Sequence, residues 1–215
     1  AAFNRPDDYR FGTVGPAGPG MEIRIAEDGE IQLRSPIIFA GYLKDPEKTK
    51  EAFCKDGWYC TGDIGVLSSD GFVTITDRKK DIIVTAGGKN VAPQNIENLL
   101  KTSPMISQVM VYGDRKPYLT ALITLDPEAS AAWAEGEGIQ TENSSELSQN
   151  GRMKEHIADI VKEKSRDLAS FETIKKFEIL PEDLSLEAGE VTPTLKVKRR
   201  FVSEKYRDLL ERMYG

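Results

Sequence analysis

Apolar and polar residues alternate along the first third of the chain, which is typical of β-strands with one buried face. In "MEIRIAEDGEIQLRS" two alternating runs flank Asp28 and the glycine after it, and in "DIGVLSSDGFVTITDR" two more flank Asp70 and its glycine. An Asp-Gly pair between such runs predicts a β-hairpin. Between the hairpins, "DPEKTKEAF" has the Asp-Pro-Glu start of a short helix. We therefore expect a small, barrel-like β-subdomain rather than an open parallel sheet.

The rest of the chain alternates helical and strand patterns. "PQNIENLLKT" begins with a proline and places Ile96, Leu99 and Leu100 on one helical face. "ISQVMVYG" and "YLTALITL" predict strands joined by the turn "GDRKP", and "IKKFEIL" predicts a third strand. Two more amphipathic helices are predicted, one in "GRMKEHIADIVKEKSRDL" and a closing helix from Val202 to Met213. The polar stretch "EGEGIQTENSSELSQNG" predicts a mobile loop.

These two patterns meet in "DRKKD", residues 77–81, which is too charged for a core and suits a linker or hinge. We place the domain boundary there, with one domain at residues 1–79 and the other at residues 80–215. The predicted fold class is α+β, with a barrel-like subdomain followed by a compact α/β C-terminal domain.

Composition narrows the classes of function. A net charge of −6 argues against general nucleic-acid binding. The start of the chain has no apolar signal-peptide core, and no apolar run approaches the roughly 20 residues of a membrane span, so a cytoplasmic location is expected. The chain has one histidine, His156, and a His-rich metal site needs several, so no metal site is predicted. Cys54 and Cys60 match no zinc or redox spacing, so we expect reduced, partly buried thiols.

Four stretches stand out. "GWYCTGD" and "TAGGKNVAPQNIE" combine glycine with charged residues, and "ITDRKKD" and "TPTLKVKRR" are runs rich in charge. Taken singly, each has a simpler explanation as a turn, a solvated linker or a charged helix start. A phosphate-binding P-loop is excluded, because an isoleucine occupies the position of its first glycine and Asn90 that of its Ser or Thr.

Taken together, in this order, the four stretches resemble the C-terminal motifs of the adenylate-forming superfamily of acyl-CoA synthetases, luciferases and peptide-synthetase adenylation domains. The resemblance covers nearly the whole chain, and "GGKNVAPQNIE" and "TPTLKVKRR" are most similar to bacterial long-chain fatty-acid–CoA ligases. Other members of the superfamily carry glycine at the position of Leu195. The resemblance implies ATP, Mg²⁺ and coenzyme A as cofactors, a long-chain fatty acid as substrate, and a C-terminal domain that acts as a rotating lid.

The resemblance also implies roles for individual residues. Lys196 matches the lysine that reaches ATP and the acyl carboxylate during adenylation. Asp63 matches the aspartate that accepts hydrogen bonds from the ribose hydroxyls, and Arg78 matches an arginine that also contacts the ribose. Lys80 matches the hinge between the large and small domains. The loop that lines the pantetheine tunnel during thioester formation corresponds to Gly87, Gly88 and Lys89.

Two hallmarks of the superfamily do not occur in the chain: the Ser/Thr/Gly-rich phosphate loop and the Tyr-Gly-x-Thr-Glu segment that helps to hold magnesium and adenine. We therefore expect the chain to be the last third of an enzyme and to be inactive alone. Three alternatives stay open: a fatty acyl-AMP ligase that uses a carrier protein, a member of the aryl-CoA ligase or luciferase branch, and a non-catalytic module that docks onto a partner. Peripheral membrane association of the parent enzyme is a further expectation.

Overall fold

A computed structural model describes residues 2–141 and 144–215, with only the backbone of Ser144. The chain divides into two compact units, residues 1–82 and 83–215. The boundary expected between residues 79 and 80 stays a prediction. None of the helices in the described part of the chain has the length and apolar character needed to cross a membrane.

The first unit is built on a five-stranded antiparallel sheet. Its strands follow one another in the order β1-β5-β4-β3-β2. The bounds are Gly15–Pro16 for β1, Glu22–Ile25 for β2, Glu30–Arg34 for β3, Tyr59–Leu67 for β4 and Phe72–Arg78 for β5, with helix α1 at Pro46–Ala52 and a 3₁₀ turn at Lys79–Asp81. Both predicted hairpins and the helix between them are confirmed. The sheet has β1 and β2 at its edges, so it is an open sheet and not a closed barrel.

Local chemistry explains the first hairpin and the helix. Gly29 has a φ of +85°, and the Asp28 side chain accepts a hydrogen bond from the Glu30 amide at 3.1 Å. Helix α1 begins at Pro46, and the Asp45 carboxylate accepts the Lys48 amide at 3.0 Å as an N-cap. These are the residue types that such turns and helix starts favour.

The second unit contains a three-stranded sheet in the order β10-β9-β8, in which β9 pairs antiparallel with β8 and parallel with β10. A two-stranded hairpin of β6 and β7 precedes it. The strands are Ile83–Val84 (β6), Asn90–Val91 (β7), Ile106–Tyr112 (β8), Leu119–Leu125 (β9) and Ile174–Ile179 (β10). The helices are Pro93–Leu100 (α2), Pro127–Gly136 (α3), Ser144–Gln149 (α4), Gly151–Lys164 (α5), Arg199–Lys205 (α6) and Arg207–Arg212 (α7).

Both faces of this sheet are covered. On one face, Val109, Val111 and Ile123 join a core with residues of α2 and α5. On the other, Met110 and Leu122 join a core with residues of α6 and α7. Alternate residues of β8 and of β9 therefore belong to two different cores, rather than to one core and the solvent. For this reason β9, the central strand, is buried along its whole length. The predicted α+β class is confirmed.

Two expectations about local structure are wrong, and a third is wrong at one residue. The predicted mobile loop, residues 135–151, holds the end of α3 and all of α4, because Leu147 is buried as an apolar anchor and Asn150 caps α5; its residues 142 and 143 lie outside the described part. The closing helix is broken at Tyr206 into α6 and α7. In the expected linker, Asp77 is 1% exposed and belongs to β5.

Cys54 and Cys60 form a disulfide, so the expectation of two reduced thiols is wrong. The Cys54 amide donates to the Trp58 carbonyl at 2.7 Å, and Phe53 pairs with Tyr59 across a tight turn. This turn places the two Cα atoms 6.4 Å apart, within the range that a disulfide spans. The pairing depends on the reversal of the chain between the cysteines, which the spacing alone does not reveal.

Candidate functional site

In the first unit, Asp63 and Arg78 lie directly opposite each other on β4 and β5. Arg78 Nε lies 2.9 Å from Asp63 Oδ1, and the aspartate side chain is 24% exposed against 54% for the arginine. The two residues are fifteen positions apart, and the hairpin brings them together. The pair presents a partly exposed carboxylate and a half-exposed guanidinium to solvent, so it can bind a ligand that carries hydroxyl donors and negative charge.

A network of charged side chains, Glu30, Lys79 and Asp28, holds the strand that carries Asp63. The nearly buried Glu30 accepts the Gly62 amide at 2.9 Å, and Lys79 Nζ lies 2.9 Å from its other oxygen. Lys79 also pairs with Asp28 at 2.7 Å, and its hydrogen bond lowers the pKa of the Asp28 carboxyl. Sequence reasoning missed Glu30, because only strand pairing places this polar hairpin residue beneath β4.

A groove with a volume of about 530 Å³ runs beside this strand. Its walls include Tyr42, Tyr59 and Gly62, with Glu30 and Lys79 at the polar end. Tyr59 belongs to an aromatic cluster, and burial raises the pKa of its hydroxyl. The walls of this groove therefore combine two tyrosine rings with charged side chains.

In the second unit, Gly87, Gly88 and Lys89 form the exposed turn between β6 and β7. Gly88 has a φ of +70°, and its amide donates to the Thr85 carbonyl at 2.8 Å. A Cβ built on Gly88 meets no atom within 4 Å, so the space beside the turn is open. Lys89 Nζ lies 5.8 Å from the centre of the Phe171 ring.

Lys196 lies in an exposed turn that precedes α6. Thr192 and Lys196 exchange two hydrogen bonds that close the turn: the Thr192 amide donates to the Lys196 carbonyl at 2.8 Å, and the Lys196 amide donates to Thr192 Oγ1 at 3.1 Å. Leu195 within the turn has a φ of +58°. This is a glycine-like conformation, at the position where the resemblance points to glycine in other members. Within the described part of the chain, no carboxylate forms a salt bridge with Lys196.

Lys80 is exposed in the 3₁₀ turn that ends the first unit. Its backbone joins β5, which carries Arg78, to the second unit. The predicted site residues therefore belong to both units: Asp63, Arg78 and Lys80 to the first, and Gly87, Gly88, Lys89 and Lys196 to the second.

The geometry of both units is that of known adenylate-forming enzymes. A family model described as AMP-binding enzyme C-terminal domain matches residues 80–215. The solved adenylation domain of a carboxylate reductase from Mycobacterium chelonae superposes with a TM-score of 0.74 at 25% identity, covering 96% of this chain and 32% of that one. The A domain of a carboxylic acid reductase from Segniliparus rugosus, in complex with AMP and a co-purified carboxylic acid, gives 0.72 at 27% identity, covering 94% and 32%.

Relatives with named activities match the sequence from end to end. The chain is 46% identical, over its whole length, to the long-chain-fatty-acid–CoA ligase FadD15 of Mycobacterium tuberculosis, of which it covers 36%. It is 37% identical, over 99% of its length, to long-chain-fatty-acid–CoA ligase 6 of Homo sapiens, of which it covers 32%. The chain thus spans about a third of the length of these relatives. The chain belongs to the AMP-binding enzyme C-terminal domain family.

Proposed function

We propose that this chain is the C-terminal part of an ATP-dependent long-chain fatty-acid–CoA ligase. The observation that carries the proposal is the 46% identity with such a ligase over the whole chain. The reaction has two steps. A carboxylate oxygen of the fatty acid attacks the α-phosphorus of ATP and pyrophosphate leaves; the thiolate of CoA then attacks the acyl carbonyl and AMP leaves.

Asp63 and Arg78 would bind the ribose of the nucleotide. Their 2.9 Å contact supports this role, because it holds the carboxylate and the guanidinium side by side, as binding of one ribose by both requires. Asp63 would accept hydrogen bonds from the ribose hydroxyls through its carboxylate oxygens. Arg78 would add a guanidinium donor on the same side.

Lys196 would act in the adenylation step. Negative charge accumulates on the phosphoryl oxygens as pyrophosphate leaves, and an ammonium group placed there stabilises the transition state more than the ground state. The exposed turn supports this role, because no salt bridge within the described residues neutralises Lys196.

Lys80 would act as the hinge about which the second unit rotates between the two steps. In one arrangement Lys196 serves adenylation, and in the other Gly87, Gly88 and Lys89 line the path of the pantetheine arm. The open space beside Gly88 supports this last role, because a pantetheine arm can pass close to a backbone that carries no side chain.

The sites for the ATP phosphates and for Mg²⁺ would lie mostly in the part of the enzyme that this chain does not contain, and the chain alone would be inactive. We expect the parent enzyme in the cytoplasm, where it can associate peripherally with the inner face of a membrane to reach its substrate. A second candidate is a ligase that passes the acyl group to a carrier protein. It is favoured by the similarity, at 28% identity, to an A-PCP didomain of carboxylic acid reductase from Segniliparus rugosus.

The full-length protein that contains this chain tests the proposal. ATP–pyrophosphate exchange is measured with fatty acids of graded chain length, followed by thioester formation with either CoA or a carrier protein that bears phosphopantetheine. We expect exchange that depends on long-chain acids and a thioester with CoA. Exchange without long-chain dependence, or transfer to the carrier alone, would contradict the proposal. The isolated chain, assayed in parallel, should show no exchange.

A further inference from the structure

A nearly buried ion pair connects the helix after the Gly87–Lys89 turn with the helix after Lys196. Both oxygens of Glu97 on α2 accept hydrogen bonds from Arg199 Nη2, at 2.8 and 2.9 Å. The side chains are 11% exposed for Glu97 and 21% for Arg199. Arg199 is the first residue of α6 and follows Lys196 by three positions. The resemblance assigned Arg199 no catalytic role, and the spacing of 102 positions hides the pair from sequence reasoning.

The pair also closes an open edge of the central sheet. Strand β8 lies at the edge, and its Val111 pairs with Ala121 of β9 on the inner side. On the outer side, the Val111 amide donates to Glu97 at 2.7 Å, and the Val111 carbonyl accepts from Arg199 Nη1 at 2.7 Å. The carboxylate and the guanidinium together take the place of a neighbouring strand, which satisfies backbone groups that would otherwise be buried without partners.

The other hydrogen bonds of the Lys196 turn are local in sequence, and Val191 and Val197 also pack in the core that contains Met110 of β8. Val191 pairs with Val197, and the Lys198 amide donates to the Glu190 carbonyl at 2.7 Å. These contacts fix the shape of the turn. Arg199 adds directed bonds from the end of the turn to the sheet and to α2, which the apolar packing of the two valines does not supply.

We propose that Glu97 and Arg199 are positioning residues that hold the Lys196 backbone in a fixed place relative to β8 and α2. This inference rests on the proposed function and extends it. One rigid unit then carries both Lys196 and the Gly87–Lys89 turn, so a single rotation exchanges one for the other without internal rearrangement. Loss of Arg199 would displace Lys196. The Gly87–Lys89 turn would stay in place, because Glu97 on α2 still accepts the hydrogen bond from the Val111 amide.

The test uses the full-length protein with Arg199→Met and, as a matched control, Arg200→Met, which changes an exposed arginine one position further along the same helix. For Arg199→Met we expect kcat for ATP–pyrophosphate exchange to fall about 10²-fold, the cost typical of a misplacement near 1 Å. The KM for ATP and the rate of thioester formation from supplied acyl-adenylate should stay within about twofold, well below a tenfold effect. Arg200→Met should leave all three unchanged.

A double variant separates positioning from stability. Arg199→Met alone leaves the Glu97 carboxylate without its guanidinium, which destabilises the fold. Adding Glu97→Gln removes that charge and keeps an oxygen for the Val111 amide, so stability should recover while adenylation stays low. Arg199→Lys keeps the positive charge but has a single nitrogen in place of the guanidinium, so its adenylation rate should lie between those of Arg199→Met and the unmodified protein. Recovery of adenylation in the double variant, or equal loss in both half-reactions, would overturn the inference.

Amide hydrogen exchange gives a readout that does not need activity. Arg199→Met should increase exchange in residues 191–198, and Arg200→Met should not. If the unmodified full-length protein activates no acid, the proposed function fails, and the exchange data still decide whether the pair holds the turn. If the protein is active but Arg199→Met changes neither exchange in this segment nor adenylation, the positioning role fails and the proposed function stands.

Discussion

Two adjacent glycines in the 85–89 turn show how residue-scale conformation determines which substitutions a site tolerates. Gly88 has a φ of +70°, whereas Gly87 is outside the left-handed region. A side chain at Gly88 therefore strains the backbone, although it meets no atom within 4 Å. Leu195 has a similar conformation at a φ of +58°, so this chain already contains one such strained residue beside Lys196.

Gly88→Leu should raise the KM for CoA in the full-length protein about tenfold, the effect of overpacking by roughly 1.4 kcal/mol. The leucine side chain would enter the open space through which, under the proposed function, the pantetheine arm would pass. Gly88→Ala is the control, since it has the same backbone strain with the smallest side chain. Steady-state kinetics with CoA as the varied substrate makes the comparison. Equal KM values for the two variants would leave Gly88 with only its role in the turn.

At the scale of elements, the disulfide ties the end of α1 to the start of β4. Cys54 and Cys60 close a short loop around Trp58, whose ring lies under the guanidinium groups of Arg24 and Arg34. Cys60 is three positions before Asp63 on the same strand. Stability of this loop therefore bears on the strand that carries the candidate nucleotide-binding aspartate.

Reduction of the disulfide should lower the free energy of unfolding by about 2 kcal/mol, the chain-entropy estimate for a loop this short. Urea unfolding with and without dithiothreitol measures the difference. The double variant Cys54→Ser/Cys60→Ser serves as the control, because reductant should not change its unfolding. Two titratable thiols in the protein before reduction would contradict the pairing.

Most elements could be predicted from the sequence, because local signals agree with the fold. The Asp28 and Asp70 turns bond their own backbone groups, a proline begins α2, and the apolar residues of β8 and β9 are buried. The errors depend on contacts distant in sequence. The polar stretch around Leu147 forms a helix because that one side chain reaches the core, and the break at Tyr206 accompanies a 3.0 Å bond from its hydroxyl to the buried Glu190.

Only part of the candidate site could be predicted from the sequence, for the same reason. Motif resemblance pointed to Asp63, Arg78 and Lys196, and strand pairing brings the first two within 2.9 Å. The carboxylates of Glu30 and Glu97 were missed. Each is held by a partner far along the chain, at sequence separations of 49 and 102, and carries no local signature.

At the scale of the whole molecule, the proposed reaction needs the second unit to take two arrangements relative to the rest of the enzyme. The connection between the units passes through the 3₁₀ turn at Lys79–Asp81. Lys79 is fixed by Asp28 and Glu30, whereas Lys80 is exposed. A rotation about Lys80 would leave the Lys79 contacts intact, which is what a hinge next to a nucleotide site requires.

Lys80→Pro should slow thioester formation by about tenfold, equivalent to about 1.4 kcal/mol of barrier, and leave ATP–pyrophosphate exchange near its original rate. Proline fixes φ at this position and so restricts the rotation that follows adenylation. Lys80→Ala controls for loss of the charge and should leave both half-reactions intact. Single-turnover assays of each half-reaction in the full-length protein give the two rates. Unchanged rates in Lys80→Pro would place the hinge elsewhere.

The role of Lys196 is decided by the rates of the two half-reactions of Lys196→Ala in the full-length protein, with Lys198→Ala as the matched control. Lys196→Ala should reduce ATP–pyrophosphate exchange about 10²- to 10³-fold, because the transition state loses its ammonium group. Thioester formation from supplied acyl-adenylate should be unchanged, and Lys198→Ala should resemble the unmodified protein in both assays. Equal loss in the two half-reactions, or no loss of exchange, would contradict the account.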